Sequence, residues 1–91
     1  LLIGLDIASH KHNNDNKLVS LKGIIKKIKG NFSCSNNQLE NLKYSPKEIE
    51  GYFNISFNKL KNLEDCPQKI NGFLDCSSNE LESLKGCPEE I

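Results

Sequence analysis

The stretch Phe53-Asn-Ile-Ser-Phe-Asn-Lys-Leu60 decides the fold, because it occurs three times at a fixed spacing. Residues 32–39 (Phe-Ser-Cys-Ser-Asn-Asn-Gln-Leu) precede it by 21 positions, and residues 74–81 (Leu-Asp-Cys-Ser-Ser-Asn-Glu-Leu) follow it by the same step. All three copies share the pattern apolar-x-apolar-Ser-x-Asn-x-Leu. A fixed period of this length is the signature of a repeat architecture, in which each repeat is one supersecondary unit.

The same period extends on both sides of this stretch. An Ile and a Gly recur before it, and a second Leu and a Pro recur after it. The recurring positions are Ile28, Ile49 and Ile70; Gly30, Gly51 and Gly72; Asn37, Asn58 and Asn79; Leu39, Leu60 and Leu81; Leu42, Leu63 and Leu84; and Pro46, Pro67 and Pro88. We therefore divide residues 28–91 into unit 1 (28–48), unit 2 (49–69) and unit 3 (70–90), with Ile91 opening the register again.

Each unit predicts one short, half-buried strand. Phe53 and Ile55 alternate with polar residues, which is the period of a strand that buries one face. One strand cannot bury that face alone, but stacked units form a continuous core. Equivalent residues then lie above one another, about 4.8 Å apart, in a parallel sheet. We expect Asn58 and its equivalents to form a ladder that satisfies backbone groups at the turn. The recurring Gly is expected to allow close packing or a positive φ.

This pattern resembles the leucine-rich repeat family, in its short bacterial or phage-like type. The resemblance covers residues 28–91 and departs from the family pattern at two polar registers. These are Lys29, Glu50 and Asn71, where the family has Leu, and Lys43, Glu64 and Lys85, where it has Pro. The resemblance implies a solenoid with a parallel β-sheet on its concave side, an extended or loop convex side, and little or no helix.

Residues 1–27 form a degenerate N-terminal coil in this interpretation. Asn16, Leu18 and Leu21 match the repeat, but its strand positions would fall on Lys11 and Asn13, which cannot line a core. We therefore expect a strand over residues 3–7 and a loop insertion around residues 8–15; the alternative is an unstructured start. The chain is expected to be a fragment of a longer repeat array.

Composition and charge argue against some classes of function. The 91 residues carry 12 Lys, no Arg and 12 acidic residues, so the net charge is zero, which argues against a nucleic-acid partner. Residues 1–45 nevertheless hold seven Lys and three acids (net +4), and residues 46–91 hold five Lys and nine acids (net −4). No long apolar run occurs, so we expect no membrane span and no signal peptide in this segment. Abundant Lys, Asn and Ile without Arg is typical of AT-rich bacterial or viral coding sequences.

The four cysteines fall on repeat positions. Cys34 and Cys76 lie on a buried strand register two units apart, too far for a disulfide. Cys66 and Cys87 occupy one register in adjacent units, where a bridge stays open as an alternative. We favour small buried thiols in a reducing, cytoplasmic compartment. No Cys-x-x-Cys pair or nucleophile–base pair occurs, and His10 with His12 is too little for a metal site. The sequence thus predicts no enzyme, no cofactor and no metal.

The outward positions of the strands predict a binding surface. Tyr52 and Phe73 are neighbours in one register, and exposed aromatic side chains are typical anchors of protein–protein interfaces. The alternative is that these rings cover the sheet edge or shield the backbone. The candidate binding residues are Tyr52, Phe73, Asn54, Asp75, Phe57 and Ser33.

The family resemblance implies a non-catalytic module that binds a partner protein through its concave strand face. Fold alone does not fix function. Two alternatives therefore stay open at this point. One is the recognition arm of a larger bacterial effector-type enzyme, and the other is a structural or adhesive surface repeat array.

Overall fold

A computed structural model describes residues 7–12, by their backbone only, 20–21 and 27–88. These residues form six strands, which are β1 (Ile7–His12), β2 (Lys27–Ser33), β3 (Glu48–Ile49), β4 (Phe53–Asn54), β5 (Lys69–Ile70) and β6 (Leu74–Asp75). All of their pairings are parallel and belong to one sheet, as the strand pattern predicts. This part of the chain contains no helix, and therefore none long and apolar enough to cross a membrane.

The long strand β2 is the base of two columns of short strands. Its first residues pair with β3, which pairs with β5, so that Ile28, Ile49 and Ile70 lie side by side. Its last residues pair with β4, which pairs with β6. Every paired residue in these two columns is 21 positions from its partner in the sequence. The sequence period is therefore the step from one unit to the next in the sheet.

A corner between the two columns carries the recurring glycines. The Gly51 N–H donates to the Gly30 carbonyl at 2.8 Å, and the Gly72 N–H donates to the Gly51 carbonyl at 2.8 Å. A Cβ atom at Gly72 would lie 2.6 Å from the Gly51 carbonyl carbon. Neither Gly51 nor Gly72 has a positive φ. Of the two reasons expected for glycine here, close packing of neighbouring units is the correct one.

The core lies between the sheet and the return segment of each unit. Its buried apolar side chains all occupy registers of the repeat, including Leu21, which lies 21 positions before Leu42: Leu21, Ile28, Phe32, Cys34, Leu39, Leu42, Ile49, Phe53, Ile55, Leu60, Leu63, Cys66 and Ile70. Phe32 and Phe53 stack with ring centroids 5.5 Å apart. Burial of each large apolar side chain stabilises the fold by roughly 1.5–3 kcal/mol. Leu84 is 64% exposed, since no described residue packs above unit 3.

The asparagine ladder is present at the turn after the strands. The Asn58 side chain accepts a hydrogen bond from the Leu39 N–H at 3.0 Å and donates to the carbonyls of Cys34 and Ile55 at 3.2 and 3.1 Å. Asn79 repeats this one unit later, accepting from the Leu60 N–H at 3.0 Å. The amide thus ties each unit to the one before it, in addition to closing its own turn.

The N-terminal prediction is wrong for residues 8–12. These residues lie in β1 and not in a loop, and β1 pairs with β2 through Lys11↔Phe32 and His12↔Ser33 after an irregularity between Ala8 and His10. Parallel pairing is made by main-chain groups, so a strand added at the edge of a sheet does not require apolar side chains. The strand predicted at residues 3–7 and the rest of the predicted loop lie outside the described residues, except for Ile7, which begins β1.

The four cysteines differ in their exposure to solvent. All four are free, so no Cys66–Cys87 bridge is formed. Cys34 and Cys66 are buried, and burial raises the pKa of each thiol to about 12. Cys76 is partly exposed and Cys87 is exposed, which corrects the expectation that all four thiols are buried. Both lie in unit 3, over which no described residue packs.

Candidate interaction surface

Two aromatic rings lie on the outward face of the sheet, which is the face opposite the buried Phe53. The rings of Tyr52 and Phe73 are stacked, with centroids 4.8 Å apart and planes inclined by 11°. Phe73 is 58% exposed. Asn31 occupies the same register one unit below, and its Oδ1 accepts the Tyr52 N–H at 2.9 Å. We call Tyr52 and Phe73 the aromatic pair; Asn31 holds the same register in the unit before Tyr52.

A polar register runs beside the aromatic pair, two residues further along each strand. Asn54 Oδ1 accepts hydrogen bonds from the Ser56 N–H at 3.0 Å and the Ser56 hydroxyl at 2.7 Å. Asp75 Oδ1 accepts the equivalent pair from Ser77, at 3.1 and 2.6 Å. The two sites have the same geometry, and they differ in that Asp75 carries a charge.

The charge of Asp75 is stabilised locally. The Ser77 hydroxyl, followed by the Ser77 N–H, holds the pKa of the Asp75 carboxyl below its usual range, against a smaller opposing effect of burial. These donors favour the ionised form, so Asp75 is an anion at neutral pH. Asp75 Oδ2 has no hydrogen-bond partner among the described residues. The outward face therefore presents one fixed carboxylate next to the exposed Phe73 ring.

Ser33 does not contribute to the accessible surface, contrary to the prediction. It retains 2% of its surface and lies in β2, which pairs with β1 on one side and with β4 on the other. The sequence pattern places Ser33 correctly on the outward register. The pattern does not show that a strand pairs on each side of Ser33.

Phe57 is exposed but lies apart from the aromatic pair. It is 59% exposed and occupies the turn after β4 with φ 57°, a left-handed conformation that disfavours bulky residues. Its equivalents Asn36 and Ser78 have φ 58° and 54°, so the turn imposes this conformation in every unit. No ring contact joins Phe57 to the aromatic pair in the described part of the chain.

Two features of this surface were not predicted from the sequence. Ser56 and Ser77 fix the orientation of Asn54 and Asp75, and their signal in the sequence is the recurrence of Ser two positions after the polar register. Tyr44 is a further exposed aromatic residue, 58% exposed with φ 69°, at a different turn. Nothing in the repeat pattern predicts an aromatic residue there, since the equivalent residues are Asp65 and Gly86.

Ion pairs connect the units on a neighbouring register. Lys27 Nζ lies 3.6 Å from Glu48 and 3.7 Å from Glu50, and Lys69 Nζ lies 3.8 Å from Glu48. The alternation of Lys27, Glu48 and Lys69 places opposite charges above one another. These side chains are partly exposed, so each pair stabilises the stack by no more than about 1 kcal/mol.

The other clusters of polar residues are weaker candidates for a functional site. A shallow depression is lined by Glu40, Lys59, Lys61, Asn62 and Glu80, none of which lies in a strand. Among residues 27–88, no group of three or more His, Cys, Asp or Glu side chains is arranged to hold a metal ion. The outward face is thus the most structured candidate site among the residues that the structure describes.

Comparison with known proteins adds no further identification. A scan against protein-family models, a search of curated proteins and a search of solved structures each return no match to this chain.

Proposed function

We propose that the chain is a leucine-rich-repeat solenoid that acts as a non-catalytic protein-interaction module. The proposed solenoid is supported by the constant step between paired strands and by the asparagine ladder between units. Each unit contributes the same inward residues to a shared core, which is how stacked repeats gain stability. The outward face of the sheet would be the concave face in such a solenoid.

The aromatic pair is the single observation that carries the functional proposal. Tyr52 and Phe73 are adjacent, stacked and on the outward face, and Phe73 leaves more than half of its surface in solvent. Phe53 is apolar because it lies in the core, but the core does not require apolar rings on the opposite face of the sheet. Aromatic side chains on a rigid sheet bury a large area upon binding at little cost in conformational entropy.

The surroundings of the aromatic pair favour a protein partner over nucleic acid. Hydrogen bonds to Ser56 and Ser77 fix Asn54 and Asp75, so their polar atoms are preorganised beside the rings. A surface with an aromatic centre and oriented polar neighbours is typical of protein interfaces. The carboxylate of Asp75 would repel a phosphate backbone, and the zero net charge supplies no compensating field.

Substitution of the aromatic pair tests this proposal. We expect Tyr52→Ala/Phe73→Ala to lower capture of the partner by the immobilised chain at least tenfold, since interface anchors of this type contribute about 2 kcal/mol or more. Tyr44→Ala is the matched control, because Tyr44 is equally exposed but lies at a different turn. Capture is measured by quantitative mass spectrometry on proteins from the cells that express this chain.

Two results would contradict the proposal. In the first, a folded Tyr52→Ala/Phe73→Ala variant retains the partners of the wild type. In the second, Tyr44→Ala loses the same partners to the same extent. Circular dichroism and thermal unfolding of each variant establish that the fold is retained.

A further inference from the structure

We propose that Asn71 is a site of intramolecular deamidation that the folded glycine corner blocks, so that the reaction occurs only when unit 3 separates from unit 2. Asn71 and Gly72 form the one Asn-Gly pair among the 91 residues. Glycine favours this reaction, because its main-chain nitrogen has no neighbouring Cβ atom to obstruct attack on the asparagine side chain. The inference concerns a modification of the chain and does not rest on the proposed function.

The reaction consumes one water molecule and releases one ammonia molecule. The Gly72 main-chain nitrogen loses its proton to base and attacks Cγ of the Asn71 side chain. The bond from Cγ to Nδ2 then breaks, and the departing nitrogen takes up a proton and leaves as ammonia. Water opens the resulting five-membered succinimide at either of its two acyl C–N bonds, which gives aspartate or isoaspartate. No electron is transferred, so no oxidant or reductant is needed.

A hydrogen bond of the Gly72 N–H blocks ring closure in the folded chain. This N–H donates to the Gly51 carbonyl at 2.8 Å. In the succinimide, Cγ of Asn71 takes the place of that hydrogen on the nitrogen, at the length of a C–N bond, about 1.4 Å. The Gly51 oxygen already lies in that direction, so the carbon would stand well inside its van der Waals radius. The ring therefore cannot form until this hydrogen bond opens.

The main chain before the reactive pair is fixed as well. The Asn71 N–H donates to the Ile49 carbonyl at 3.0 Å, so the peptide planes before and after Asn71 are both tied to unit 2. A Cβ atom placed at Gly72 would lie 2.6 Å from the Gly51 carbonyl carbon, which leaves the corner no space to tilt. All of these contacts are made with unit 2, and every atom involved belongs to the described residues.

The reactive side chain is specific to unit 3, whereas the blocking hydrogen bond belongs to the repeat. The Gly51 N–H makes the same bond to the Gly30 carbonyl, also at 2.8 Å. The residues before these two glycines are Glu50 and Lys29, and neither carries a side-chain amide. Deamidation at a corner is thus possible in unit 3 and not in the two units before it.

Isoaspartate prevents unit 3 from stacking again on unit 2. It routes the main chain through the former side-chain carbon and so adds one methylene group between residues 71 and 72. The pairing of β5 with β3 and of β6 with β4 fixes the chain length at the corner, which leaves no room for an additional atom. Phe73 directly follows the corner, so we expect its stacking on Tyr52 at 4.8 Å to be lost. The reaction is therefore a one-way switch that removes the aromatic pair.

Peptide mass spectrometry of the full 91-residue chain tests the inference, at pH 8 in buffer and in urea that unfolds the chain. The readout is a mass gain of one dalton on the peptide that contains Asn71, with isoaspartate separated from aspartate by chromatography. We expect the folded chain to react about tenfold more slowly than the unfolded chain, or slower still, because the reactive form is a minor open state. Asn71→Gln is the control, since its longer side chain closes a six-membered ring far less readily.

Asn79→Ala tests whether the separation of unit 3 controls the rate. The Asn79 side chain ties unit 3 to unit 2, accepting from the Leu60 N–H at 3.0 Å and donating to the Ile55 carbonyl at 2.9 Å. Its loss populates the open state, so the rate in buffer should rise about fivefold while the rate in urea stays unchanged. A urea series on the wild type gives a second measurement, in which the rate should rise below the midpoint of unfolding.

Several outcomes would overturn the inference. These are equal rates in buffer and in urea, no mass gain at Asn71 in urea, or an unchanged rate in folded Asn79→Ala. If circular dichroism shows that Asn79→Ala is unfolded, the urea series decides, and a flat series overturns the inference.

The deamidated chain itself tests the switch. We expect the purified isoaspartate form to lack the nuclear Overhauser effect between Tyr52 and Phe73, and Asn71→Asp, which keeps the original main chain, to retain it. An isoaspartate form that keeps this contact, or an Asn71→Asp variant that loses it, would show that the added methylene group does not act as proposed.

Discussion

At the scale of one residue, Asn58 shows what the recurring asparagine does in each unit. Its buried amide satisfies the Leu39 N–H and the carbonyls of Cys34, Ile55 and Ser56, which belong to two different units. Without this side chain, those backbone groups would be buried and unpaired. An unpaired buried polar group costs about 1–3 kcal/mol, so a single amide stabilises the junction between units.

We expect Asn58→Ala to lower the free energy of unfolding by about 2–3 kcal/mol, because it leaves the Leu39 N–H and inward carbonyls unsatisfied. Asn79→Ala is the matched variant with the same contacts at a partly exposed junction, where water replaces the amide. Its cost should be about half as large. Urea denaturation measures both, and an equal effect of the two substitutions would contradict this account of the ladder.

The cysteines give a second prediction at the same scale. At pH 8 we expect Cys87 to react with iodoacetamide first, Cys76 more slowly, and Cys34 and Cys66 only after unfolding. The thiolate is the nucleophile, and burial raises the pKa of Cys34 and of Cys66 to about 12, so that both stay protonated at this pH. Cys87 is exposed to the reagent. Peptide mass spectrometry measures each rate; labelling of Cys34 as fast as Cys87 in the folded chain would contradict the buried register.

At the scale of the strand elements, the glycine corner sets the distance between units. The Cβ atom of an alanine at residue 72 would lie 2.6 Å from the Gly51 carbonyl carbon and 2.7 Å from the Tyr52 nitrogen. These are backbone atoms, which cannot turn aside as a side chain does. The corner therefore couples the spacing of the strands to the position of the aromatic pair.

Gly72→Ala should consequently lower the free energy of unfolding by about 1–3 kcal/mol, the usual cost of overpacking. It should also change the ring-current shifts of Tyr52 and Phe73. The neighbouring Asn71→Ala is the control, because Asn71 is exposed and its change should stay within about 0.5 kcal/mol. Thermal unfolding and a one-dimensional proton spectrum suffice for both; an unperturbed Gly72→Ala variant would show that the corner tolerates a side chain.

The elements that the sequence predicts well are those that repeat. Strands β4 and β6, the core registers and the asparagine ladder follow from the alternation of apolar residues and from the fixed repeat period. Strand β1 could not be predicted in this way, because Lys11 and His12 break the apolar pattern while their backbone still pairs with β2. Apolar periodicity predicts which side chains are buried. It does not predict an edge strand that is held by main-chain hydrogen bonds alone.

The candidate site was predictable only in part, for a similar reason. Register placed Tyr52 above Asn31 and below Phe73, and the rings do stack. Register could not show that neighbouring strands bury Ser33, or that the turn imposes a left-handed conformation on Phe57. These properties depend on which strands pair on either side and on the path of the backbone, which a one-dimensional pattern does not contain.

At the scale of the whole molecule, the zero net charge conceals an ordered distribution. The first half of the chain is basic and the second half is acidic, and within the stack Lys27, Glu48 and Lys69 alternate from unit to unit. The aromatic pair and Asp75 lie in the acidic half. A neutral chain thus presents a local surface of defined sign.

The stacking of units at a constant step is the central claim, because both the core and the outward face depend on it. Nuclear Overhauser effects between aromatic side chains of a uniformly labelled sample test it most directly. We predict cross-peaks between Phe32 and Phe53 on the inward side and between Tyr52 and Phe73 on the outward side, each pair separated by one repeat period. Absence of these cross-peaks in the folded chain, or contacts between Tyr52 and residues of the inward register, would contradict it.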